Sequence, residues 1–172
     1  MELTISILDK THQRNNFECG RPALDHYIKK QASQDTKRDL AVCYVLCRKD
    51  EPEVIGYYTL SSHAVARSEF PEELARKLPY LEIPTVLLGR LALSSSYQGK
   101  GLGEFLLTEA LNRCAKLGNE MGILAVTVDP IDEDARRFYA AFGFIALPGS
   151  GRMFMTIKTI EEELPGGDQE KP

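Results

Sequence analysis

A mixed α/β domain follows from three features of this 172-residue sequence. Nearly continuous apolar runs have strand length, amphipathic runs of helical period lie between them, and one strand-helix-strand unit can be joined only by a parallel crossover. The expected architecture is a mixed central sheet of about six to seven strands flanked by about four helices.

Leu3 to Leu8 alternates apolar and polar side chains, the pattern of a half-buried first strand. Gly20 and Pro22 open a helix with Leu24, Tyr27, Ile28 and Gln31 on one side, while Lys29, Lys30, Asp35, Lys37 and Arg38 make its far face and exit polar. Residues 41–47 and 54–60 are almost wholly apolar and are separated by a polar turn with Pro52, so they predict a hairpin buried on both faces. Pro71 begins a short helix that ends before Pro79, and residues 85–93, after Pro84, predict the central strand. Residues 94–103 form a loop. The next helix carries Leu106, Ala110, Cys114 and Leu117 in one stripe beside Leu107 and Leu111, until Gly118-Asn119 stops it. Residues 122–128 are a fifth apolar strand reached only through that helix, which predicts a parallel, right-handed connection. Asp132, Glu133 and Asp134 suit a helix start, Gly143 its end, and the stripe between is Ala135, Phe138, Tyr139 and Phe142. Short strands at 144–147 and 152–157 complete the sheet.

The chain holds 21 Lys and Arg against 25 Asp and Glu. Five of those acids lie in residues 161–172 beside Lys171 alone, so the rest is balanced at 20 of each and its charge excludes no polyanionic partner. Residues 1–160 are expected to form one domain and 161–172 a frayed acidic tail. Apolar runs stay far below the roughly 20 residues of a membrane span. Met1 to Lys10 carries Glu2 and Asp9 and lacks the pattern of a secretory leader, so a cytoplasmic protein with no membrane partner is expected. Cys19, Cys43, Cys47 and Cys114 lack zinc-ligand spacing, and no metal is expected; Cys43 and Cys47 share one strand face, which suits buried free thiols.

Gln98-Gly99-Lys100-Gly101-Leu102-Gly103 follows a strand and opens an amphipathic helix, so free backbone N–H groups meet the positive end of a helix dipole. Phosphate oxygens are the natural guests. Gly101 after Lys100 rules out a Walker loop, and glycines at alternate positions do not match the dinucleotide fingerprint.

Gln98-x-x-Gly101-x-Gly103 after a strand, with a later helix bearing Ala135, Tyr139, Gly143 and Phe144, resembles the GNAT N-acetyltransferase superfamily over residues 3–158. Within it, the strings Phe17-Glu18-Cys19-Gly20, Ala23-Leu24-Asp25, residues 56–60, Ile83-Pro84 and residues 88–92 resemble the toxin branch of toxin-antitoxin pairs, which acetylates the amino group of aminoacyl-tRNA. The resemblance implies acetyl-CoA as co-substrate, with its pyrophosphate on Gln98, Gly99, Lys100, Gly101, Leu102 and Gly103. It implies pantetheine contacts along Leu91, Ala92 and Leu93, where one amide would polarise the thioester carbonyl. Asp132 and Phe138 are expected beside the cofactor, although many members have Asn where Asp132 stands. Tyr139 matches the family's proton donor to the departing thiolate.

Direct transfer to the amine fits the absence of a Cys-His or Ser-His arrangement, and no Asp, Glu or His stands out as a base. The resemblance further implies an aminoacyl-tRNA substrate, a ribbon-helix-helix antitoxin and a homodimer. Basic candidates for tRNA phosphates are Lys29-Lys30, Lys37-Arg38, Arg48-Lys49, Arg67, Arg76-Lys77, Arg90 and Arg136-Arg137. The alternatives are a GNAT enzyme acting on a protein or small amine, and a non-enzymatic CoA-binding module.

Overall fold

The computed structural model describes residues 1–164. Its strands are β1 (Leu3–Ile7), β2 (Val42–Arg48), β3 (Gly56–Ala66), β4 (Glu82–Leu93), β5 (Ala125–Val128), β6 (Ile145–Ala146) and β7 (Met153–Thr156), in the sheet order β1-β2-β3-β4-β5-β7-β6. The α-helical segments are α1 (Pro22–His26), α2 (Ala32–Lys37), α3 (Glu72–Ala75), α4 (Leu102–Leu117), α5 (Glu133–Phe142) and α6 (Ile157–Glu163). Among the described residues no helix is long and apolar enough to cross a membrane.

The chain divides into two compact units. The first comprises Met1–Ser61 and Gly89–Ala110. Here β1 pairs antiparallel with β2 from Leu3↔Arg48 to Ile7↔Tyr44, and β2 with β3 from Val42↔Leu60 to Leu46↔Gly56, which is the expected hairpin. Phe17, Tyr27, Ile28, Val45 and Tyr57 build its core together with Cys19, Cys43 and Cys47. All four cysteines of the chain are free and buried. Residues 22–38, expected as one helix, break into α1, a π-helical turn at Tyr27–Gln31 and α2. The break has a physical cause. Arg14 donates from Nη1 to the carbonyl of Ile28 at 3.1 Å and to Ser33 Oγ at 2.8 Å, drawing on a carbonyl the helix ladder would use, while Ala32 N–H reaches back five residues to Tyr27 O.

The second unit comprises Ser62–Leu88 and the chain from Leu111 onward. β4 and β5 pair in parallel from Thr85↔Ala125 to Leu88↔Val128, as the strand-helix-strand reading requires. β7 pairs antiparallel with β5, and β6 with β7. Val65, Phe70, Ile83, Ala125, Leu147 and Phe154 form the core, with Phe70 edge-on to Phe154 at 5.4 Å between ring centroids. β3 and β4 are longer than the apolar runs suggest, because flanking polar residues also take extended conformation; β4 begins at Glu82 and includes Pro84, whose carbonyl accepts from Leu124 N–H at 2.9 Å. The boundary expected at residue 161 is passed by α6, which Thr156 caps by accepting from Thr159 N–H at 3.1 Å and which buries Ile157 and Ile160. The remainder of the expected acidic tail, 165–172, lies outside the described residues.

The buried acids give a stability prediction. Burial first, together with the Asp25 hydrogen bond, raises Cys19 to about 11; burial raises Cys43 to about 12 and Cys47 to about 11; Tyr27, Tyr57 and Tyr139 also rise, chiefly by burial. Each of these pKa values is higher folded than unfolded, so its contribution is complete below the unfolded values of 9.0 for thiols and 10.0 for phenols and is lost above them. The melting temperature is expected to be flat near neutrality and to fall from about pH 9 upward. A flat profile to pH 11 in thermal denaturation followed by circular dichroism would refute this.

Candidate active site

β4 ends at Leu93, a 3-10 turn covers Ser95–Tyr97, and α4 begins at Leu102, so the glycine loop occupies the expected strand-to-helix corner. Gly99 and Gly101 have φ of +76° and +80°, and a Cβ at either would meet nothing within 4 Å. These glycines are therefore demanded by left-handed backbone, not by crowding. The first ladder bond of α4 runs from Phe105 N–H to Gly101 O at 3.2 Å, which leaves the amides of Leu102, Gly103 and Glu104 ahead of the ladder. Two cations flank the neighbouring Tyr97 ring, Lys100 Nζ at 5.7 Å and the Arg48 guanidinium carbon at 5.3 Å from its centroid. Free amides, a helix dipole and two cations fit the oxygens of a pyrophosphate. Arg48 stands at the end of β2, so no local spacing could have joined it to this loop.

Gln98 does something the loop pattern does not reveal. Its Nε2 donates to the carbonyls of Cys19 and Leu93, both at 2.8 Å, so both amide hydrogens are spent inside the protein. Ser95 N–H donates to Glu18 O at 2.8 Å, and Cys19 N–H to Asp25 Oδ1 at 2.9 Å. Residues 17–25 are thus fastened to the loop, and Gln98 acts as a positioning residue. Gln98→Glu keeps the size but sets carboxylate oxygens against two carbonyls. It is expected to raise the KM for acetyl-CoA by about tenfold or more, with a smaller change in rate at saturation, since each lost bond with an unsatisfied partner costs about 1–3 kcal/mol. An unaltered KM would show that this clamp does not set the loop.

Leu91 is half-buried, and Ala92 and Leu93 are buried at the end of β4. β3 presses close here: a Cβ on Gly56 would lie 3.1 Å from Leu93 Cδ1 and 3.2 Å from Ala92 O, so only glycine lets these strands approach without displacement.

In the second unit, Tyr139 is 7% exposed and packs edge-on against Phe138 and Phe144, at 5.5 and 5.3 Å between centroids. Its hydroxyl has no hydrogen-bond partner among the described residues. The other buried tyrosines all spend theirs: Tyr27 on Asp35, Tyr57 on Leu24 O, Tyr58 on Glu109. Burial raises the Tyr139 pKa, so the phenol stays protonated and its proton remains available to a ligand. Phe138 is half-buried beside it. Asp132 is exposed and caps α5, accepting from Ala135 N–H at 2.8 Å, a role an Asn would also fill.

Of the histidines, His63 on β3 has a buried Nδ1 without a partner among the described residues. Burial and then the Arg152 charge lower its pKa against the opposing pull of Glu69 and Asp129, so it is neutral at physiological pH. No group of three His, Cys, Asp or Glu side chains able to hold a metal occurs among the described residues.

Comparison with known proteins places the chain among acetyltransferases. The sequence model of the acetyltransferase (GNAT) family matches residues 6–144. A tRNA-acetylating toxin of Mycobacterium tuberculosis is 36% identical over 133 residues, 77% of this chain and 78% of that protein. Among solved structures, AtaT complexed with acetyl-methionyl-tRNAfMet superposes with a TM-score of 0.88 at 35% identity, covering 94% of this chain and 98% of that one. A Tyr-to-Phe mutant of the AtaT toxin, bound to the C-terminus of the antitoxin AtaR and acetyl-CoA, gives a TM-score of 0.80 at 31% identity over 94% of this chain and 97% of that one.

Proposed function

This chain belongs to the acetyltransferase (GNAT) family, and from that premise we propose that it is a toxin that acetylates the amino group of aminoacyl-tRNA with acetyl-CoA, and so blocks translation until a cognate antitoxin neutralises it. The observation that carries this reading is the phosphate-fitting loop at Gly99–Gly103 in a chain so similar to a tRNA-acetylating toxin and to AtaT complexed with acetyl-methionyl-tRNAfMet. The AtaT complex with the antitoxin AtaR and acetyl-CoA supports the same co-substrate and the same kind of partner for this chain. The protein acts in the cytoplasm as a homodimer, and the antitoxin is of ribbon-helix-helix type with its C-terminal segment covering the site.

Acetyl-CoA supplies the activated thioester. The amides of Leu102 and Gly103 at the start of α4, with Lys100 and Arg48, hold the pyrophosphate, and Gly99 and Gly101 shape the backbone that presents them. Leu91, Ala92 and Leu93 align the pantetheine arm, one of their amides stabilising negative charge as it develops on the thioester carbonyl oxygen. The Tyr139 hydroxyl gives its proton to the departing sulfur as the amine nitrogen bonds to the acetyl carbon and the C–S bond breaks; water takes the proton that the nitrogen releases, and solvent returns a proton to the phenolate. An α-amine with a pKa near ~8 is partly neutral at physiological pH, so no protein base is required.

The test is transfer of labelled acetyl from acetyl-CoA to a bulk pool of charged tRNA, with uncharged tRNA as control. Label on charged tRNA alone supports the reading. No label, with acetyl-CoA still bound, would overturn it in favour of protein or small-molecule amines.

A further inference from the structure

Among the basic side chains of the first unit, Arg90 on β4 is held in a distinctive way. Its guanidinium carbon lies 3.6 Å from the centroid of the Tyr27 ring, close enough for flat stacking. The ring is fixed from its far end, because Tyr27 Oη donates to Asp35 Oδ2 at 2.8 Å, and Asp35 Oδ1 accepts from Gln31 Nε2 at 2.9 Å. Tyr27 and Gln31 are the two ends of the π-helical turn, so the break in the helix described above is what brings ring and amide to the same carboxylate. Asp35 makes no ion pair with Arg90 within 4 Å, its oxygens being engaged by Tyr27 and Gln31. None of the N–H groups of Arg90 donates a hydrogen bond to a described residue, although the side chain is only half-exposed. Arg14 and Arg67, by contrast, spend donors on protein carbonyls. A guanidinium that is oriented, partly desolvated and unspent matches a bidentate oxyanion ligand.

We propose that Arg90 binds a backbone phosphate of the aminoacyl-tRNA substrate near its charged end, with the π-helical turn, Tyr27 and Asp35 holding the guanidinium for it. The position of Arg90 fits this assignment: it immediately precedes Leu91, at the segment to which the reacting thioester is assigned. The exposed Lys30, Lys37 and Arg38 lie on the same stretch of chain as Tyr27 and add long-range attraction for a polyanion. This proposal rests on the tRNA reading above.

The experiment measures kcat/KM on the full-length protein for charged tRNA and for an amino acid methyl ester, an aminoacyl ester without phosphate, across a series of salt concentrations. Arg90→Ala is expected to lower kcat/KM on charged tRNA at least about tenfold more than on the methyl ester, and to reduce the slope of log kcat/KM against log salt by about one. Arg90→Lys should restore the slope but not the affinity, because it keeps the charge and loses the fork. Equal losses on both substrates would overturn the proposal and place Arg90 at the amine or the cofactor. An unchanged salt slope in Arg90→Ala would also overturn it, as would, should that variant not fold, an Arg90→Gln variant with wild-type slope. If the wild-type protein labels no charged tRNA, the functional reading fails together with the proposal. If it does and the Arg90 variants match it, only the proposal fails.

Discussion

Tyr139→Phe is expected to leave the fold intact and to lower acetyl transfer by about 10²-fold or more, the usual contribution of a positioned general acid. The fold should survive because the ring keeps its edge-on contacts with Phe138 and Phe144, and the lost hydroxyl has no partner among the described residues. Removing a hydroxyl that serves no described residue orphans no group, so the melting temperature should hold. Turnover should fall because the phenol proton is the one assigned to the departing thiolate sulfur. The sign of the pKa shift adds a check. Since burial raises the Tyr139 pKa, the donor remains protonated across any ordinary assay range, and wild-type activity should show no alkaline loss from its titration. Single-turnover transfer by wild-type and variant protein, with thermal melts of both, decides the matter. An unchanged rate would remove Tyr139 from the mechanism.

Gly101→Val should abolish acetyl-CoA binding, weakening it beyond about 100-fold. The reason is conformational. At φ +80° a β-branched residue is a genuine outlier, with a cost of about 1–3 kcal/mol, while the space around its Cβ is open. The loop would therefore escape strain by rebuilding its backbone, turning away the amides of Leu102 and Gly103 and displacing Lys100. Gly149→Val supplies the control, because Gly149 has φ +79° with equally open surroundings but lies in the β6–β7 turn. It should lose comparable stability and keep cofactor affinity. Calorimetric titration with acetyl-CoA separates the two, and saturable binding by the Gly101 variant would refute the loop assignment.

Local rules reached much of this molecule. The β2–β3 hairpin, the parallel β4–α4–β5 unit, the Asp132 cap and the Gly143 stop of α5 follow from the period and capping chemistry of consecutive elements. Failures fell where a distant group intervened or an acidic composition masked a weaker signal. Arg14 opens the π-helical turn from eight residues upstream of α1. α6 hides in a run that reads as charged tail, although Thr156 as cap and the three-residue spacing of Ile157 and Ile160 were its signal.

For the candidate site the division is sharper. The sequence by itself determined that residues 98–103 form an anion-fitting corner between strand and helix, because free amides at a helix start and glycine backbone freedom are local properties. It also determined that Tyr139 lies on the packed stripe of α5. Only the tertiary structure decided where hydrogen-bond donors are spent: Gln98 on Cys19 across 79 residues, Tyr57 on Leu24 across 33, and neither Tyr139 nor Arg90 on any described residue. A side chain's type gives its donors, and its period gives the face it occupies, but whether a donor is already satisfied depends on groups that only the folded chain brings within 3 Å or so.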